Sequence, residues 1–147
     1  MTLRPQQREF VEEFSRLDPA MPRAMGLILG YLLVCEPAEQ TSVTMQTELG
    51  LSAGSISGMI GMLVDSGLVA RVKKQGDRKW YYLIAKDSWQ RTIQMRLQSI
   101  QNFRNAAEKG MAVSDNYRMR ELYKVFGFFA GELERAASQL AAIEREN

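Results

Sequence analysis

The densest chemistry in the sequence is the run RVKKQGDRK at positions 71–79, which holds five cations (Arg71, Lys73, Lys74, Arg78 and Lys79) against one acid, Asp77. Guanidinium and ammonium groups at this density attract polyanions, phosphate backbones above all. A solvated turn is the plainer alternative, because most charge runs simply face water. The division of charge singles the run out: residues 1–70 carry −4, residues 71–79 carry +4 and residues 80–147 carry +2. One short basic loop therefore stands on an otherwise balanced chain.

Reactive chemistry is hard to assemble from the remainder. The chain contains no histidine, which removes the commonest general base, the usual metal ligand and the partner of a nucleophilic Ser or Cys. Its single cysteine, Cys35, excludes an intrachain disulfide and a cysteine-based zinc site. Cys35 ends an apolar helix with no basic neighbour in sequence, so an inert buried thiol is expected rather than a redox sensor. With no glycine-rich phosphate loop, carboxylate pair or metal cluster, the sequence reads as non-enzymatic and free of cofactors. Its 147 residues, 46% of them hydrophobic, suit one folded domain with extra helices for pairing. The most apolar stretch, Ala24 to Cys35, is too short to span a bilayer, and the N-terminus carries no export signal. A cytoplasmic location without membrane contact is expected.

The spacing of apolar residues indicates which elements position the basic run. Residues 5–17 form a first helix with Phe10, Val11, Phe14 and Leu17 on one face, ended by Asp18-Pro19. Residues 22–35 are apolar nearly all round and form the buried hub, with Gly26 and Gly30 marking a close helix crossing. Thr44 caps a short helix, MQTEL, that stops at Gly50, and Ser52 caps another that ends near Ser66-Gly67. Two helices joined by a tight glycine-containing turn make a helix-turn-helix. Ile56, Ile60, Leu63 and Val64 must face the core, leaving Gly54, Ser57, Gly58, Gly61 and Asp65 outside. Three glycines within a helix cost roughly 1 kcal/mol each relative to alanine. Either a major-groove floor approaches this face or a neighbouring helix packs tightly on it, and both readings stand at this point.

Two β-type runs, 68–72 and 79–84, flank KKQGDR, and a hairpin directly after a helix-turn-helix is a wing. Further on, Trp89, Ile93, Leu97, Ile100 and Phe103 make one helical stripe. Met119, Leu122, Phe126, Phe129, Leu133, Ala137, Leu140 and Ile143 make another. These stripes exceed what a small winged domain covers alone, so homodimerisation through the terminal helices is expected, with Phe10, Phe14, Leu122, Phe126, Phe129, Leu133 and Leu140 at the seam. The alternative is an intramolecular hairpin of 88–109 on 115–145. The expected fold is mainly α with a small β wing. It comprises an N-terminal dimerisation arm (1–20), a winged helix-turn-helix domain (21–87) and C-terminal dimerisation helices (88–147).

The segments MPRAMGLILGYLL, LGLSAGSISGMIGMLVDSGLVARV, GDRKWYY and DSW, in this order over about residues 21–90, resemble MarR-type winged-helix regulators and, within them, the GbsR-like branch. The resemblance implies a homodimer on a pseudo-palindromic operator in double-stranded DNA, acting as a repressor by family default. It places helix 52–66 in the major groove, presenting Gly54 and Ser57, and the 73–79 loop at the adjacent minor groove. Arg78 falls at the position of the arginine that enters the minor groove, with Asp77 orienting a guanidinium. Lys73, Lys74 and Lys79 fall at phosphate contacts beside Arg71, and Ser52, Ser55 and Thr44 donate from helix starts. Relatives commonly carry Lys or Arg after the capping serine, where this chain has Ala53. With no Arg, Asn or Gln on the outer face of helix 52–66, bidentate base reading is unavailable there, and modest sequence preference is expected. The GbsR-like resemblance also suggests a small-molecule effector, a quaternary ammonium or aromatic compound, with Tyr31, Trp80, Tyr81, Tyr82 and Trp89 as candidate wall residues. Two other readings remain: a winged-helix protein–protein adaptor, and a non-specific DNA-binding protein without an effector.

Overall fold

The computed structural model describes residues 2–146. Eight elements follow in order: α1 (Pro5–Phe14), α2 (Arg23–Val34), α3 (Ser42–Leu49), α4 (Ala53–Asp65), β1 (Val69–Lys73), β2 (Trp80–Ile84), α5 (Ser88–Val113) and α6 (Tyr117–Glu146). They divide into two compact units, one up to Trp89 and the other from Gln90. The turn into α5 is tied to the first unit by the Ser88 N–H, which donates to Ala85 O at 3.2 Å.

α2 is the hub of the first unit, with every residue from Gly26 to Leu32 buried. Its packing on α1 depends on the two glycines. A Cβ on Gly26 would stand 2.7 Å from Ser15 Cα, and one on Gly30 would stand 3.3 Å from Val11 Cα. This crossing also explains why α1 ends at Phe14 instead of residue 17. Ser15 is buried beneath Gly26 and its hydroxyl donates to Glu12 O at 2.7 Å, so the chain turns there and leaves Leu17 exposed. α1 is therefore built into the first unit, and Leu3 ahead of it is buried in the same core.

The helix-turn-helix forms as expected with one cap displaced. Thr41, in extended conformation, caps α3 by accepting from the Thr44 N–H at 3.2 Å, so the helix begins at Ser42 and Thr44 lies inside its first turn. Local spacing favoured Thr44; burial of Met45 fixes the helix start three residues earlier, because Met45 must point into the core. Gly50 ends α3 with φ 64°, a left-handed conformation open to glycine at no steric cost. Ser52 caps α4, accepting from the Ser55 N–H at 3.1 Å, and Ile56, Ile60 and Leu63 enter the core.

β1 and β2 pair antiparallel with Val69 opposite Ile84, Arg71 opposite Tyr82 and Lys73 opposite Trp80. Gln40 adds a single-residue bridge to the free edge of β2, exchanging backbone hydrogen bonds of 2.9 and 2.8 Å with Tyr82. Its buried side chain donates to Pro37 O at 2.7 Å and accepts from the Tyr31 hydroxyl at 3.2 Å. The wing is thereby fastened to the segment entering α3.

In the second unit α6 runs back along α5. Phe103 meets Phe126 with ring centroids 5.1 Å apart, the Gln101 amide donates to Glu134 at 2.7 Å, and Gly110 lies against the Met119 side chain. The intramolecular hairpin considered from the sequence is present. It buries few of its large apolar side chains: Ala107 and Ala130 are enclosed, while Phe129, Leu140 and Ile143 remain exposed. Among the described residues no single helix is long and apolar enough to cross a membrane.

Candidate nucleic-acid interface

Backbone alternation divides the wing into two faces. One carries Arg71, Lys73, Trp80 and Tyr82, continuing from buried Val69; the other carries Val72 and Tyr81. Trp80 is 40% exposed and lies beneath two cations, the Arg71 guanidinium at 4.0 Å from the ring centroid and the Lys73 ammonium at 4.5 Å. The Lys73 ammonium also donates to Arg78 O, which ties the two sides of the turn together. Gly76, with φ 79°, makes that turn possible.

Asp77 stiffens the turn from within. One carboxylate oxygen accepts from the Lys79 N–H at 2.9 Å and the other from the Tyr81 hydroxyl at 2.6 Å. The bond from Tyr81 is the main reason the Asp77 carboxyl is held below its usual range, and the same bond raises the Tyr81 phenol. The expectation that Asp77 orients a guanidinium is corrected here: its oxygens are occupied by Tyr81 and by backbone. Lys74 departs from expectation too. It pairs with Glu39 at 2.9 Å and lies over the Tyr81 ring, so its pKa rises while that of Glu39 falls. Among the described residues Arg71, Lys73, Arg78 and Lys79 form no salt bridge, although the charges of Lys79 and Lys73 also help hold the Asp77 carboxyl down.

α4 presents its small residues to open space. A Cβ on Gly54, Gly58 or Gly61 would meet nothing within 4 Å. Tight packing by a neighbouring helix of this chain is thus not what these glycines serve, and the surface-contact reading of this face remains. Ser52 and Ser57 are exposed and Ser55 is half-buried beside them. Thr44 is half-buried with its hydroxyl 3.0 Å from that of Thr41, which withdraws it from the helix-start role expected of it.

The five aromatic candidates for an effector wall do not converge. Tyr31 is fully buried, with its phenol pushed up to about 12 chiefly by that burial. Trp80 and Tyr82 occupy one face of the hairpin, Tyr81 occupies the other and is engaged by Asp77, and Trp89 is exposed at the start of α5. Cys35 is buried, and desolvation pushes its thiol up to about 11. Among the described residues no group of three or more His, Cys, Asp or Glu could hold a metal ion.

Sequence reasoning missed Glu39 and Gln40, which neutralise one wing cation and hold the wing edge. A one-residue bridge has no periodicity to detect. The polar pair between Pro37 and Thr41 was the only available signal.

No protein-family model matches the chain. HTH-type transcriptional regulator MmpR5 of Mycobacterium tuberculosis is 29% identical over 136 residues, which cover 87% of this chain and 82% of that protein. A solved structure described as a transcriptional regulator superposes with a TM-score of 0.76 at 25% identity, over 94% of this chain and 99% of its own. A MarR family regulator from Neisseria meningitidis superposes more loosely, with a TM-score of 0.41 at 18% identity over 81% and 80%. The chain has a winged helix-turn-helix fold, mainly α with a two-stranded wing, and the proteins it is similar to are transcriptional regulators rather than enzymes.

Proposed function

We propose that this protein is a DNA-binding transcriptional regulator of the MarR type. It acts as a homodimer on a pseudo-palindromic operator, with α4 in the major groove and the 73–79 turn at the adjacent minor groove. One observation carries the reading: a helix face left open by Gly54, Gly58 and Gly61 stands in the same unit as a hairpin with four cations that form no salt bridge among the described residues. Small residues let a helix backbone approach a groove floor, and cations neutralise the phosphates on either side. The similarity to MmpR5 along most of both chains supports it.

In this reading Ser52, Ser55 and Ser57 donate to phosphates or base edges, and Arg78 enters the minor groove. Arg71, Lys73 and Lys79 contact phosphate, with Lys74 weaker because Glu39 already neutralises it. Dimerisation buries the exposed apolar residues of α5 and α6 together with Phe10 of α1, while Phe14 packs against the core of its own unit; Phe129 and Leu140 are the most open of the proposed seam residues. Repression, the GbsR-like branch and a cytoplasmic location complete the proposal on the resemblance of residues 21–90. A quaternary ammonium or aromatic effector is left out of it, because Tyr31, Trp80, Tyr81, Tyr82 and Trp89 do not converge on one wall.

Binding to the DNA upstream of its own gene and to scrambled DNA, at two salt concentrations, tests the reading. Tighter binding to the upstream duplex that survives the higher salt is expected. Absence of binding to either at low salt would end it. The adaptor reading would then lead, favoured by a helix face that carries Asp65 and lacks long base-reading side chains.

A further inference from the structure

Between α4 and the wing lies a cleft of about 530 Å³. Ser57 and Gly61 of α4 form one wall, Arg71 and Tyr82 at the base of the wing form the other, and Gln46 of α3 and Asp65 of α4 also line it. Among the described residues the side chains of Ser57, Gln46 and Arg71 make no hydrogen bond or ion pair within the protein. The Arg71 guanidinium carbon lies over the Trp80 ring, 4.0 Å from its centroid. The ring face attracts the cation without using its N–H donors, which stay free for an oxyanion.

We infer that this cleft seats one phosphodiester strand of the duplex, with Arg71 as its cation and Trp80 as the residue that positions Arg71. The inference rests on the DNA-binding reading and extends it. Adjacent major and minor grooves are separated by a single phosphate strand. A helix in one groove and a turn in the other must straddle that strand, which then passes over whatever lies between them. Here that is an open trough with a preset guanidinium and an unpaired hydroxyl and amide. Gly61 keeps it open, since nothing of the protein occupies the space a Cβ would take. The Asp65 carboxylate repels phosphate, so it marks where the seat ends, and removing its charge strengthens binding.

The test uses the full-length chain and its own upstream duplex, with phosphates replaced one at a time by neutral methylphosphonate. Neutralising one phosphate in each half-site removes two charge-assisted contacts per dimer and is expected to weaken binding by the parent about a hundredfold, roughly tenfold for each contact. The same replacement should leave Arg71→Gln almost unchanged, because its contact is already lost. Gly61→Leu fills the trough without altering charge and weakens binding with its circular dichroism intact. Trp80→Ala weakens binding and Trp80→Phe restores it; Asp65→Asn tightens it. If Gly61→Leu binds as tightly as the parent and no phosphate couples to Arg71, the seat is overturned while DNA binding stands. If the parent binds no duplex at low salt, seat and DNA reading fall together. Saturable binding of inorganic phosphate to the DNA-free protein, abolished by Arg71→Gln and accompanied by no coupling on DNA, would assign the cleft to a free anion and overturn the strand.

Discussion

Individual side chains divide into those that hold the first unit together and those left free to act. Gly26 belongs to the first group. Gly26→Ala would force a Cβ to within 2.7 Å of the Ser15 backbone, so it should destabilise the fold by roughly 1–3 kcal/mol, read as a lower Tm. Cys35 and Tyr31 are buried groups whose ionisation is suppressed. Their folded pKa values of about 11 and about 12 exceed the ordinary 9.0 and 10.0, so the native state holds these protons more tightly than the unfolded chain. Their stabilisation is complete below pH 9 and is lost as pH rises through the folded values. Denaturant titrations should show stability falling from about pH 9 upward, and a thiol reagent at neutral pH should label Cys35 only after unfolding. Labelling of the folded protein as fast as of the unfolded chain would refute this placement of Cys35.

At the level of elements, α4 and the wing set stability and contact in opposition. A helix with open glycines is less stable than it need be. Gly58→Ala meets no neighbour and should stabilise the protein by about 1 kcal/mol while weakening DNA binding, so a higher Tm and a higher Kd are expected together. Unchanged affinity would show that this face stays clear of DNA. Within the wing, Asp77→Ala removes the acceptor shared by Tyr81 and the Lys79 N–H, and should loosen the turn without subtracting a cation. Lys79→Ala, by contrast, should lower the steepness of the salt dependence by about two units, one phosphate contact for each protomer of the dimer. The helix-turn-helix and the hairpin were legible beforehand because hydrophobic period, capping serine and turn glycine agreed. The Thr41 cap was not, because burial of Met45 decided the helix start.

For the whole molecule, the proposal of a symmetric dimer carries its own quantity. If about six to eight phosphates are neutralised per dimer, log K should fall with log salt at a slope of roughly −5 to −7. A slope near zero would remove the wing from the interface. Phe129→Glu or Leu140→Glu would place a charge among exposed apolar residues of α6 and should yield monomers in sedimentation, with the first unit still folded. A parent protein that sediments as a monomer would leave those residues unexplained.

Composition and spacing alone determined the classes of chemistry excluded, the order of helices and strands, the burial of α2, the core face of α4 and the location of the basic loop. These are properties of local pattern, in which each residue's neighbours in sequence are enough to decide its side. Tertiary structure decided which cations stay available, since Glu39 reaches Lys74 from another element and Asp77 turns to Tyr81 instead of a guanidinium. It also decided that the α4 glycines face open space, that Tyr31 belongs to the core, and that Trp80 lies beneath Arg71 and Lys73. Pairing of charges and emptiness of a surface depend on what the rest of the chain brings within a few ångströms, and a linear pattern does not encode that distance.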